Sequence, residues 1–572
     1  MKTKYKVIII LVIFFVMIII QIAKDIEISL ISRNISLEDW YWQLSYLKSN
    51  NTEIKDNPLL YGDDEEDVKI NDLHVIVYPS YNEKGENLTL ELLNSITDFT
   101  ENNLELDVKV LNLDSNKDFD LREYKDANIS KNGTIKLRGH STMEDKNKSY
   151  KIKILEEGET FLGHNILNLN KHPYDYFKVR NKIAFELIEK IPNLISMRTS
   201  LVNLYIKDLT KGEDEGFKDY GLFTNIEQAN SKFLEDRNLD TKGYFYKAEN
   251  FEFMRYEDII KPMNDPEYNE EEFEDILEIK VSNSHDKIIK MLEDVNNENL
   301  DINQVLDKHF NRENYFTWVA TNILLGNYDT QTQNYFLYSP SHSLTWYFVP
   351  WDYDGSMSEE YAPIYDSNGD MVSLTGVANY WNGILHNRVF REANNLRELN
   401  KKVNEIYKIL SKEAVEKEVN KYLPIIEKYY VDSSLSLQSI EYEKLYSTAD
   451  TIINITNLNK RLYFETLEKP MPIYLLDVTK VEDGYLFEWS SSFDLQGDGI
   501  RYILEISETY DFKDIVYQKK RLRGYHHIVD LKPGEYYWRV IAIDDKGNTQ
   551  RAFDQIIVDD NIYHGIRKIV IE

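Results

Sequence analysis

The sequence predicts an α+β fold in three parts: an N-terminal transmembrane helix, a two-lobed core whose C-terminal part is helical, and an all-β sandwich. Three observations carry this. Val7 to Ile20 is an unbroken apolar run behind the basic stretch Met1–Lys6. Between Val68 and Leu467, runs that alternate with strand period give way to runs with helical period. From residue 470 onward, short alternating runs recur at regular spacing with turn residues between them. The expected boundaries are 1–24 for a cytoplasmic stub and anchor, 25–70 for a stalk, 71–468 for the core and 469–572 for the sandwich.

Composition narrows the functions. Lys and Arg total 67 against 98 Asp and Glu, a net charge of −31. Such an acidic surface repels phosphate backbones, so nucleic acid is not an expected partner. The chain has no cysteine, which excludes disulfides, zinc–thiolate sites and cysteine nucleophiles.

Val7 to Ala23 approaches the ~30 Å of a bilayer's hydrocarbon core at helical rise. The stretch Met17–Lys24 lacks the small-residue cleavage pattern of a signal peptide, so an uncleaved anchor is expected. Basic residues before the run place residues 1–6 in the cytoplasm and the rest outside. The predicted location is thus a single-pass membrane protein, largely extracytoplasmic at the cell surface. Asp63–Asp67 closes a polar, acidic segment that reads as a solvated connector.

In the core, Leu73–Tyr78 and Leu104–Leu111 read as strands. Asp114–Asp120 resembles the start of an EF-hand loop, but Phe119 stands where the turn needs glycine and Lys125 where the bidentate Glu belongs, so it reads as a plain loop. Two further strands, Thr134–Thr142 and Lys148–Leu155, flank a polar gap. At its edge Arg138, Gly139, Ser141 and Thr142 supply a guanidinium, backbone N–H groups and hydroxyls suited to phosphate. On the second strand Tyr150, Ile152 and Ile154 share one face, and Lys151 and Lys153 the other. Such lysines neutralise phosphates or protect a sheet edge. A helix over Phe177–Ile191 follows, stopped by Pro192, with Glu186 and Glu189 as candidate partners for a strand lysine. Strands Leu201–Ile206 and Tyr220–Ile226 lead to the acidic Glu227. Residues 255–310 are acidic and helix-rich, Glu313–Leu325 is an apolar helix, and residues 381–467 are helical.

Between these helices lies the most informative stretch. Asp329 and Asn334 are separated by four residues; an aromatic run Tyr335–Tyr338, a turn at Ser339–Ser343 and a second apolar run Trp346–Val349 lead to Asp352-Tyr353-Asp354-Gly355. A hairpin returns the chain to its start, so Asp329, Asn334, Asp352 and Asp354 are expected to converge. Phosphoryl transfer needs these groups: an Asp to accept the substrate hydroxyl proton, and oxygen donors to hold Mg²⁺ against a nucleotide. Protein kinases use D-x-x-x-x-N, a hairpin and D-F-G. Here the first spacing is the same, Asp-Tyr-Asp-Gly replaces Asp-Phe-Gly, and Asn327-Tyr328 replaces His-Arg.

Seven phrases in order resemble the spore coat protein H (CotH) kinases, an atypical protein-kinase-like family: Lys136–Thr142, Lys148–Ile154, Leu167–Asn170, Arg180–Leu187, Tyr220–Glu227, Asn334–Tyr338 and Phe348–Asp354. The resemblance spans roughly residues 70–400. It implies a kinase using ATP and Mg²⁺, or Mn²⁺, to phosphorylate serine or threonine of a coat or surface protein. It implies Asp329 as the catalytic or metal-proximal carboxylate, Asn334 and Asp352 as metal ligands, Asp354 as a second-metal or second-sphere carboxylate, and Arg138, Ser141, Lys148, Lys151, Lys153 and Glu227 around ATP. The phrase Leu531–Val540 resembles fibronectin type III modules. A different reading is a non-catalytic coat or surface scaffold whose sandwich grips polysaccharide or protein; a third is phosphate transfer to a glycan or lipid. The extracytoplasmic topology favours the scaffold, since ATP is scarce outside, while the presence of all four polar residues at the hairpin favours chemistry.

Overall fold

A computed structural model of the chain describes residues 52–571, apart from 83, 99–103, 116–129, 140–142, 174, 213–215, 359–373, 433–438 and 559–560. The expected anchor, Val7–Ala23, and the candidate phosphate contact Ser141 lie outside the described residues. Among those residues no helix is long and apolar enough to cross a membrane. The expectation of a fold built on a transmembrane helix is therefore corrected to a mixed α+β fold. The two longest of the described helices, Lys412–Asp432 and Ser439–Leu467, carry ionisable residues along their length, which a hydrocarbon core would not accept.

The first layer is a closed barrel, where the sequence pattern shows only separate strands. Its strands are β1 (Ile70–Val77), β2 (Leu106–Val110), β3 (Gly133–Arg138), β4 (Ser149–Ile154), β5 (Ile166–Asn170), β6 (Thr199–Asp208) and β7 (Phe217–Ile226), in the order β1-β2-β3-β4-β5-β7-β6. Closure comes from a long parallel pairing of β1 with β6, running from Ile70 opposite Leu201 to Val77 opposite Asp208. Alternation decides which side chains fill it. Leu73, Val75, Leu106, Val108, Ile135, Leu137, Ile152 and Leu204 are buried in one cluster. Lys136, Arg138 and Lys151, on the opposite parity, face outward. Between β5 and β6 lies helix α1 (Arg180–Glu189), which is buried through most of its length.

The second layer is a four-stranded sheet. Its strands β8 (Tyr244–Ala248), β9 (Leu277–Val281), β10 (Tyr335–Ser339) and β11 (Tyr347–Pro350) lie in the order β9-β8-β10-β11. Helices α2 (Asp286–Asn296), α3 (Ile302–His309) and α4 (Arg312–Leu325) accompany it. Residues Asn314–Leu325 of α4 are all buried, the mark of a helix enclosed on every side. Four more helices follow: α5 (Ile384–Phe390), α6 (Ala393–Ile409), α7 (Lys412–Asp432) and α8 (Ser439–Leu467). Residues 52–67, whose charge reads as a solvated connector, lie against this body. Thr52 O accepts from Asn311 Nδ2 at 3.0 Å and Tyr347 Oη at 2.8 Å, and Asp67 pairs with Lys421 at 2.9 Å.

Beyond α8, two antiparallel sheets share one buried core that includes Phe487, Trp489, Leu504, Trp538 and Val540. The smaller has β12 (Thr479–Val481), β13 (Gly484–Glu488) and β16 (His526–Val529). The larger has β14 (Arg501–Ser507), β15 (Ile515–Leu522), β17 (Gly534–Ile543) and β18 (Thr549–Gln550), with β19 (Arg567–Ile571) on β17.

Aromatic packing joins α4 to the hairpin. Trp318 is fully buried, with its ring centroid 4.5 Å from Phe348 and 5.0 Å from Tyr335. Truncating it to alanine should cost about 3–5 kcal/mol in a denaturant titration. His386 stacks on the same cluster, and Tyr315 Oη lies 2.9 Å from its Nδ1. Burial pushes this imidazole down to about 3. The fold thus favours the neutral ring, and the unfolded chain takes up the proton first as pH falls. Stability present above pH 6.5 should be lost progressively toward pH 3, and His386→Phe should flatten that dependence in denaturation midpoints.

Candidate functional site

The site forms where α4 hands the chain to the hairpin. Gly326 ends α4 in the left-handed region, at φ 65°, and donates its N–H to Asn322 and Ile323 carbonyls. A side chain there would collide with Asn459 Nδ2, 2.7 Å from the position of a Cβ. Three hydrogen bonds then hold the next four residues, two of them to Asn379 and Asn459 far along the chain. Tyr328 Oη donates to Asn459 Oδ1 at 2.9 Å, Asn379 Nδ2 donates to Tyr328 O at 2.9 Å, and Thr330 Oγ1 donates to Asn327 O at 2.9 Å.

Asp329 and Asn334 meet. Asn334 Nδ2 donates to Asp329 Oδ2 at 2.9 Å, and Gln333 Nε2 donates to Oδ1 at 2.7 Å. Burial raises the Asp329 carboxyl, and the nearby Asp352 charge raises it further, against those two hydrogen bonds. Asn334 sits at φ 59° and Asp352 at φ 53°. Each end of the hairpin therefore carries a non-glycine residue in the left-handed region, at a cost of about 1–3 kcal/mol apiece, a pattern that gathers at functional sites.

Asp352 and Asp354 form the second pair. Burial lifts the Asp354 carboxyl well above the usual range, with the Asp352 charge and a hydrogen bond to it adding to the effect; Arg180 acts the other way. Asn327 Nδ2 donates to Asp352 O at 3.2 Å. Tyr353 is fixed at both ends: its N–H donates to Asn181 Oδ1 at 3.3 Å and its Oη to Asn322 Oδ1 at 2.6 Å. The four residues thus come together as two pairs joined through Asp352. They do not form one tight cage: among the described residues, the carboxylate cluster whose ligand atoms all lie within 4.8 Å of one another is elsewhere.

From the barrel, Arg138 faces these carboxylates. Burial lowers its guanidinium to about 10, against the pull of Asp352 and Asp354, and it bonds Asn170 Oδ1. Lys151 lies on the same outer face, opposite Lys136. Burial lowers it to about 8, helped by the charges of Lys136, Lys280 and Arg138. The other expected nucleotide contacts lie apart. Lys148 donates its ammonium to the carbonyls of Ile96, at 2.9 Å, and Met143. Lys153 is exposed. Glu227 is buried between Arg198 and Arg237, at 2.5 and 2.8 Å, and its backbone N–H donates to Arg198 O at 2.9 Å, so neither is directed to an adenine. Glu186 pairs with Lys182 at 2.8 Å and Lys421 at 3.1 Å instead of a strand lysine.

The donor set suits a hard cation. Asp329, Asp352 and Asp354 offer carboxylate oxygens. Asn334, whose amide nitrogen is engaged by Asp329, offers its carbonyl oxygen. The crowding of Asp352 and Asp354 is what a divalent charge would relieve, so these residues fit Mg²⁺. A cavity of about 810 Å³ lies elsewhere, between α5 and the sandwich, lined in part by Trp381, Arg391, Tyr474 and Phe553. Sequence reasoning missed the positioning residues Asn181, Asn322, Asn327 and Asn459. Only Asn322 carries a signal in the sequence, as an amide inside the apolar run of α4.

Comparison with known proteins agrees in region. A family model described as CotH kinase protein matches residues 135–463. The chain is also similar to the inner spore coat protein H of Bacillus subtilis (strain 168), 25% identical over 236 residues. That match covers 40% of this chain and 59% of the relative, less than two thirds of its length.

Glu227→Gln should lower stability by about 3–5 kcal/mol in urea unfolding, because two guanidiniums lose their buried partner. Lys153→Ala should change it by less than about 0.5 kcal/mol.

Proposed function

Because the chain belongs to the CotH kinase family, whose model covers residues 135–463, we propose that it is a kinase-like protein of the spore coat or cell surface that transfers the γ-phosphoryl group of ATP to serine or threonine of a coat or surface protein. The observation that carries the reading is the meeting of Asp329–Asn334 with Asp352–Asp354 at one end of a hairpin, opposite Arg138.

In this reading Asp329 accepts the proton of the attacking hydroxyl. Its raised affinity for a proton, from burial and the Asp352 charge, suits a base. Gln333 and Asn334 hold its two oxygens in place. Asn334, Asp352 and Asp354 would hold Mg²⁺, which would screen phosphate charge and align the nucleotide. Arg138 and Lys151 add positive charge on the barrel side, where phosphate oxygens would lie. Arg180, acting on Asp354, and Asn181, bonded to Tyr353 N–H, orient the acidic strand end.

Purified full-length protein with radiolabelled ATP should label itself or a coat protein only when Mg²⁺ or Mn²⁺ is present. Asp352→Ala should lower the rate about 100-fold or more, on the scale of losing one transition-state contact. Undiminished transfer by that variant rejects the metal assignment. Nucleotide binding without transfer by the unaltered protein favours a scaffold instead.

A further inference from the structure

The sandwich carries a second acidic cluster, remote in sequence from the hairpin. Asp494 and Asp498 belong to the loop before β14, and Asp544 to the turn between β17 and β18. One carboxylate oxygen from each lies within 4.8 Å of the others. Oxygens on opposite sides of a Ca²⁺ ion, at about 2.4 Å each, are about 4.8 Å apart, so this spacing is that of one coordination shell.

Acidic clusters are common on surfaces, but this one has an orphaned atom. Asp494 is 6% exposed, and its Oδ2 is buried with no hydrogen bond. Its Oδ1 is engaged, accepting the N–H groups of Gln496 and Asp498, both at 2.9 Å. Asp498 Oδ2 is also buried, and its partner is the ammonium of Lys546, 2.9 Å away. Asp544, 5% exposed, accepts from the N–H groups of Lys546 and Asn548 at 2.9 and 2.8 Å, and from Asn548 Nδ2 at 2.7 Å. A buried carboxylate oxygen without a donor is costly unless a cation meets it. Lys546 supplies one positive charge, and its side chain is half exposed and also 3.6 Å from Glu468. Three carboxylates and one ammonium leave two negative charges.

We propose that Asp494, Asp498 and Asp544 form a divalent-cation site of the Ca²⁺ class, with Lys546 as the ammonium that a bound ion displaces. All-oxygen donors on two loops suit Ca²⁺, which accepts irregular shells completed by carbonyls and water, better than Mg²⁺, which demands a near-ideal octahedron. The location gives the ion a task. Gln496 Nε2 donates to Leu467 O and Asn548 Nδ2 to Glu468 O, each at 2.9 Å, at the end of α8. Gly499 N–H donates to Asp545 Oδ2 at 3.2 Å, tying the two loops together. An ion among the three acids fastens both loops, and so stiffens the joint between the helical body and the sandwich.

The test is calorimetric titration of metal-stripped full-length protein with CaCl₂. The unaltered chain should bind with a Kd on the order of 10⁻⁴–10⁻³ M, the range of extracellular modules. Asp494→Asn and Asp544→Asn should each weaken binding about tenfold or more, and Lys546→Met should tighten it several-fold because the competing ammonium is gone. Asp352→Ala should leave this Ca²⁺ affinity intact, which separates it from the hairpin site. Equal Ca²⁺ binding by the Asn variants overturns the proposal, as does weaker or unchanged binding by Lys546→Met. Should the Asn variants fail to fold, Lys546→Met decides.

Discussion

Much of this molecule depends on how one buried helix grips one hairpin. Asn314 of α4 donates through Nδ2 to Phe348 O at 3.1 Å and accepts from Phe348 N–H at 2.7 Å through Oδ1. Strand β11 lies at the edge of its sheet, so this amide completes a ladder that has no further strand. A few turns on, α4 ends at Gly326, and Asn327 reaches across to the carbonyl of Asp352. The helix therefore fixes the hairpin at its second strand and at both of its chain ends. The aromatic stack of Trp318, Tyr335 and Phe348 fills the space between.

That grip explains how acids are tolerated together. Asp352 and Asp354 are separated by Tyr353 alone, and burial makes their mutual repulsion strong. Arg180 and Arg138 approach from the barrel side, and Asn181 takes the intervening N–H. The hairpin end is thus completed by residues about 170 to 215 positions upstream in the chain. Left-handed backbone at Asn334 and Asp352 is held by this surrounding structure.

The other ionic clusters have different work. Glu227 with Arg198 and Arg237, and Glu186 with Lys182 and Lys421, are dense, enclosed networks that fasten β7 and α1 to their neighbours. Both contain a residue that the sequence pattern offers to a nucleotide or a strand lysine. Full satisfaction by partners around them marks them as structural, whereas the Asp352–Asp354 pair sets two acids against each other and holds the Asp354 carboxyl toward its protonated form. This difference in charge balance, more than residue type, separates a candidate site from a brace.

The sequence by itself determined the local elements. Alternation in Thr134–Arg138 and Ser149–Ile154, the apolar run through α4, and the aromatic runs around Ser339–Ser343 each read correctly as strand, helix or hairpin, because these depend on neighbours a few residues away. The spacing Asp329–Asn334 and the return to Asp352 were legible for the same reason: a hairpin brings its own ends together. Tertiary structure decided what distant segments do to one another. The parallel pairing of β1 with β6 that closes the barrel leaves no local mark. Nor do the partners of Lys148 and Glu227, or the amides of Asn181, Asn322 and Asn459 that hold the site. Whether a charged side chain meets a ligand or an opposite charge is settled by contacts across the fold, and spacing along the chain carries no record of them.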